Sequence, residues 1–128
     1  MSRGGIRTET VENKAVGLGG NEFETGVINV SANKTIPAGA ILKRDAGGNF
    51  ALVTDLTNET PVAINPFDIP NNTATAKNMS LRAIISGPVN ASALNVNGLP
   101  ITSPALFDKI RDTALAITIQ THDISRTS

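Results

Sequence analysis

A chain of 128 residues with 40% hydrophobic and 17% charged residues is large enough to bury one real core, and its composition is that of a lightly charged globular domain. Eleven Lys and Arg balance eleven Asp and Glu. The basic excess of proteins that work by neutralising phosphates is therefore missing, which argues against nucleic acid as a partner and leaves self-association electrostatically unopposed. The lack of any cysteine excludes disulfides, thiolate metal sites and cysteine nucleophiles, and four Phe with no Trp or Tyr leave an aliphatic core to be expected.

The opening "MSRGGIRTETVENKA" has no apolar run of the secretory type, and no segment approaches membrane-spanning length. Synthesis in a cytoplasm and no membrane partner are the expectations. Residues 1–24 carry few large apolar groups, chiefly Ile6, Val11, Val16, Leu18 and Phe23, broken by Gly4, Gly5, Gly17, Gly19 and Gly20. Such a stretch cannot bury enough surface to offset its ordering entropy. It reads as a flexible N-terminal arm that orders against a partner, with Ile6, Val11, Val16 and Leu18 as the contact residues, or else as a frayed terminus without a role.

Residues 25–128 form the β-rich body. Val27, Ile28 and Val30 suggest a strand. Pro37 and Gly39 then mark a corner, since Pro fixes its own φ and Gly permits φ > 0. "AILKRD" reads as a short strand, Gly47–Gly48 as a tight hairpin and "NFALV" as the returning partner. "PVAIN" continues the pattern, "PFDIP" marks an irregular connection or edge, and "NNTATAKN" is turn-rich. "MSLRAIIS" alternates Met79, Leu81, Ala83 and Ile85 against Ser80, Arg82, Ile84 and Ser86, and Gly87–Pro88 is expected to end it. "VNASALNV" reads as a short turn capped by Asn90.

At the C-terminal end the period changes. Ser103–Pro104 is a helix start, after which Leu106, Phe107, Ile110 and Ala114 share one face and Asp108, Lys109, Arg111 and Asp112 the other. "LAITIQ" closes the domain as a strand. The fold class expected is mainly β: a compact, bent domain, a small barrel or tulip-like body, with one or two short helices.

Residues arranged for chemistry are few. His122, beside Asp123, is the chain's one histidine, and no Gly-x-Ser-x-Gly elbow accompanies it. One His with scattered carboxylates offers no metal-ligand spacing. "GLGGNE" misses the dinucleotide-loop spacing and reads as a flexible hinge. Nothing singles out two of Asp45, Asp55, Glu59 and Asp68 as a catalytic pair. No enzyme activity, metal or cofactor is expected, and an enzyme with a site that no motif reveals stays open as a rival.

The order of a polar arm, "TIPAGAILKRDAGGNFALV", "PVAI", "LRAIISGPVNASAL", a helix and "LAITI" resembles the head decoration proteins of tailed phages, the lambda-like capsid-stabilising group. The resemblance covers roughly residues 25–121, and the family's closing glycine is replaced here by Leu115 or Ala114. It implies a homotrimer bound to the major capsid protein on the outer surface of the virion at local three-fold positions, where it cements the shell against internal DNA pressure. It also implies that the arm adds a strand to the capsid protein. The alternative is a head-fibre base or adhesin module displayed on the virion.

Overall fold

The computed structural model describes residues 15–111 and 116–120. Strands hold 47% of the described residues and helix 11%, so the domain is mainly β, as the strand pattern implied. The elements in chain order are β1 (Glu22–Val30), β2 (Lys34–Ile36), β3 (Ile41–Arg44), β4 (Phe50–Leu52), β5 (Ala63–Ile64), β6 (Ile69–Asn71), β7 (Lys77–Asn90), a 3-10 turn (Ala91–Ala93), β8 (Asn95–Val96), β9 (Leu99–Pro100), α1 (Pro104–Arg111) and β10 (Ala116–Gln120). Strands β1, β4, β3, β5 and β7 pair in that order, and β7 returns to β1, closing a five-stranded barrel.

Closure depends on the length of β7. Its first part pairs antiparallel with the whole of β1, from Val30 opposite Lys77 to Glu22 opposite Ser86. Its other edge takes β5 at Ile84 and then β10, which runs parallel beside Ser86–Asn90. Barrel closure removes the unpaired edges that an open sheet would present.

Both faces of the central strands are buried. Leu42, Ala63, Leu81 and Ala83 point into the barrel with Ile28, Val30 and Phe50. Their neighbours Ile41, Ile64 and Ile84 point outward into a second cluster, closed by Val16, Val53, Leu56, Leu94 and Ile110 of α1. This is why "AILK", "VAI" and "AII" are runs of apolar residues where a one-sided sheet would alternate. Phe50 fills the barrel beside Gly26, where an added Cβ would lie 2.5 Å from the ring. Burying that ring contributes on the order of 2–3 kcal/mol.

Several local expectations hold. Gly39 (φ 86) turns the corner with Ala40 N–H donating to the Pro37 carbonyl. Gly48 (φ 86) lies in the five-residue connection 45–49 between β3 and β4, in which Gly48 N–H donates to Asp45 O. Asn90 Oδ1 accepts from Ser92 N–H and Oγ–H, capping the 3-10 turn. The Ser103 carbonyl accepts the first bonds of α1.

Three expectations are corrected. Gly87–Pro88 does not end a strand: β7 runs through it to Asn90. Pro88 has no N–H to offer, and only its carbonyl is used there, accepting from Leu18 N–H and Asn21 Nδ2. The arm boundary at residue 24 falls inside β1, which begins at Glu22, and Val16 is already buried in the outer cluster. "GLGGNE" is not a free hinge but a bend tied to β7: Asn21 takes Gly19 N–H on Oδ1 and gives Nδ2 to the Ser86 and Pro88 carbonyls.

Two small sheets went unread. Lys34–Ile36 pairs with Ile69–Asn71, and Asn95–Val96 forms a hairpin with Leu99–Pro100 around Asn97–Gly98.

Candidate functional site

Of the four residues assigned to a partner-binding arm, Ile6 and Val11 lie outside the described residues. Val16 is 2% exposed in the outer core cluster, so it serves the barrel. Leu18 is partly exposed, with its N–H pinned to Pro88 O. The chain here is strand-like: Gly17 bridges Val89 antiparallel, and Asn90 N–H donates to Val16 O.

The carboxylates weighed as catalytic candidates are dispersed and occupied with loops. Asp45 Oδ1 accepts from Gly47 N–H and Asn49 N–H inside its hairpin. Asp55 closes its own turn through Thr57 N–H and Asn58 Nδ2. Glu59 binds Lys43 and takes the N–H groups of Thr54 and Asp55 on Oε1. The Lys43 bond first, then those two backbone donors, lower its carboxyl to about 2. Among the described residues no group of three His, Asp or Glu side chains could hold a metal ion, and no helix is long and apolar enough to cross a membrane. His122 lies outside the described residues.

Buried asparagines fix the loops in place of charges. Asn71 gives Nδ2 to the carbonyls of Val30, Ser31 and Thr75 and takes Thr73 N–H on Oδ1. Asn65 reaches Pro37 O, and its own carbonyl accepts from Gly39 N–H. Asn95 reaches the carbonyls of Ala38 and Ala93 and takes Gly98 N–H. Each leaves little buried backbone unpaired, which a domain of many short strands and turns requires.

The most distinctive surface was not singled out in the sequence. Phe67 is 74% exposed between two clefts of about 920 and 580 Å³. It stands on a loop that does not give way: Pro66 is buried, Asn65 is buried beneath it, and Asp68 Oδ1 accepts from Ala38 N–H at 2.8 Å. Phe23, Thr25, Ser80 and Arg82, on the outward face of the β1–β7 ribbon, line the smaller cleft with Phe67 and Asp68. Arg82 lies over the Phe23 ring, 4.7 Å from its centroid. The one signal in the sequence was a phenylalanine set between two prolines in "PFDIP".

No protein-family model matches the chain, and no curated protein matches it.

Proposed function

We propose that this protein decorates the outside of a phage head, as a trimer bound to the major capsid protein at local three-fold positions, and strengthens the assembled shell. The resemblance in the sequence motivates this reading. The observation that carries it in the structure is the entry of the N-terminal chain. Residues 16–18 pair by backbone bonds with Pro88–Asn90 at the end of β7, so the described chain begins on a segment that already bonds to a strand. That geometry suits strand addition to a partner sheet, with main-chain bonds giving affinity and alternate side chains giving specificity.

A decoration protein of this kind stabilises the shell because it binds the assembled lattice and not the separated subunits. Three tethered segments on one trimer raise the effective concentration of each after the first has bound. The rigid barrel, with its loops tied by buried asparagines, gives the trimer a fixed shape to set over the junction.

Electron microscopy of virions made with and without this protein tests the reading. Density at the three-fold positions that disappears with the protein is the expected result. Thin projections would favour the fibre-base or adhesin alternative, and unchanged heads would remove both. Co-sedimentation with undecorated capsids then tests the segment itself: Ile6→Asp with Val11→Asp is expected to reduce occupancy at least tenfold, about 1.4 kcal/mol per site.

A further inference from the structure

We propose that the cleft between Phe67 and the β1–β7 ribbon binds a neutral oligosaccharide, an activity separate from attachment to a shell. Four observations lead there. Phe67 presents an aromatic face to solvent while the loop beneath it is anchored, so the ring is held ready rather than ordered on binding. Phe23, with Arg82 laid over its ring, forms the facing wall. Asp68 and Arg82 line the same cleft, yet among the described residues neither forms an ion pair with the other or with any other side chain. Thr25 lies directly opposite Arg82, and Ser80 shares its face of β7, which brings two hydroxyls to the floor.

This combination selects the class of ligand. One carboxylate, one guanidinium and two hydroxyls supply acceptors and donors at short range, and the exposed Phe67 ring takes a C–H face of a pyranose. The charges in the cleft cancel, so an anionic ligand meets Asp68 and a cationic one meets Arg82; a neutral polyol meets no repulsion. Asp68 has one oxygen fixed by Ala38 N–H, which leaves the other to accept from a sugar hydroxyl. A bond from a neutral donor to a charged acceptor is among the stronger hydrogen bonds. The volume of about 580 Å³ lies within the range of small-ligand clefts, roughly 300–1,000 Å³. The second cleft continues on the far side of Phe67, which favours a chain of sugars over a single residue.

The larger cleft borders the N-terminal entry, being lined by Val16, Gly17, Gly19 and Asn21 as well as Phe67, whereas the smaller cleft is lined by none of residues 15–21. Arg82 and Val89 are seven residues apart on β7, a separation of roughly 23 Å at the usual strand rise. The smaller cleft is thus well displaced along the strand from the place where residues 16–18 pair.

The test uses the full-length protein on an array of defined oligosaccharides, neutral and charged, with each hit titrated by isothermal calorimetry. Binding to neutral hexose or N-acetylhexosamine chains is expected. Phe67→Ala is expected to weaken it at least tenfold with an unchanged melting temperature, since that side chain is mostly in solvent. Asp68→Asn keeps the acceptor used by Ala38 but replaces the free carboxylate oxygen with a donor, and is expected to weaken binding as well. No binding at millimolar sugar, preference for sialylated or sulfated chains alone, or equal binding by Phe67→Ala would each overturn the proposal. A Phe67→Ala variant that loses capsid occupancy while its sugar binding is unchanged would assign the cleft to a protein partner instead.

Discussion

Gly39 lies against the carbonyl of Ala93: a Cβ added to it would sit 1.8 Å from that oxygen. The corner begun by Pro37 is thus also the point where the β2–β3 connection packs on the 3-10 turn, and Asn95 N–H donating to Gly39 O clamps the contact. Gly48 has the same φ of 86 but nothing within 4 Å of the position its Cβ would take. The two glycines separate strain from collision. Gly48→Ala is expected to cost about 1 kcal/mol, the left-handed backbone penalty alone. Gly39→Ala adds an overlap with backbone that cannot swing aside, and is expected to cost about 3 kcal/mol or more. Urea unfolding of both variants checks the ranking; equal midpoints would show that the corner yields.

What was legible in the sequence was local. The hairpin at Gly48, the corner at Pro37–Gly39, the cap at Asn90 and the start of α1 are each set by the backbone preferences of two or three adjacent residues. What escaped depends on partners far along the chain. Val16 sits among glycines in a polar stretch, and only residues far along the chain, Ile84, Val89 and Ile110 among them, make it core. Gly87–Pro88 carries the ordinary signal for a strand end, but here Asn21 occupies the space where a Cβ on Gly87 would stand and holds the strand through its carbonyls. Phe67 looked like one more apolar residue in an edge segment. Its exposure follows from the turn that Pro66 and Asp68 make around it, which no periodicity encodes.

Acid should weaken the domain through Glu59. Its carboxyl falls from 4.5 to about 2 in the fold, through Lys43 first and the N–H groups of Thr54 and Asp55 next. A lowered folded value means the native state favours the ionised form. The contribution is complete above about pH 4.5 and is lost as the pH falls toward about 2. Glu59→Gln retains a carbonyl acceptor for the two backbone donors and removes the charge facing Lys43. Wild type is expected to melt above this variant at neutral pH, with the gap closing between pH 4.5 and 2. A gap that persists unchanged at pH 2 would assign the difference to packing.

Asn71 should be hard to replace. Its Nδ2 serves three carbonyls and its Oδ1 takes two donors from Thr73. It thereby ties the end of β1 to the 72–76 turn that leads into β7. Asn71→Leu fits the buried space but leaves those groups without partners, at about 1–3 kcal/mol for each group that water cannot reach. Loss of at least 2 kcal/mol is expected in urea unfolding. Hydrogen exchange adds a local readout: the Thr73 amide, which donates to Asn71 Oδ1, should exchange faster in the variant even under conditions where the core strands stay protected.

The division between tethered segment and barrel can be moved from residue 24 and tested by truncation. Val16 is buried with Val89, Ile84 and Ile110, and its burial contributes about 2 kcal/mol. Removing residues 2–20 takes that side chain away together with the bonds from Leu18 N–H to Pro88 O and from Asn90 N–H to Val16 O. A fall of about 2 kcal/mol or more is expected, which for a domain of this size lowers the melting temperature by roughly 6–10 °C. Removing residues 2–14 leaves all of these contacts in place and is expected to keep the melting temperature of the full chain. Capsid occupancy then separates the two roles. Both truncations should lose occupancy, since both lack Ile6 and Val11, but only the longer one should lose stability. Val16→Ala in the full chain completes the set, with stability reduced by about 1–2 kcal/mol and occupancy retained at temperatures where the barrel is folded. If Val16→Ala instead melts like wild type and releases the capsid, Val16 is a contact residue of the partner and the core described around it does not depend on it.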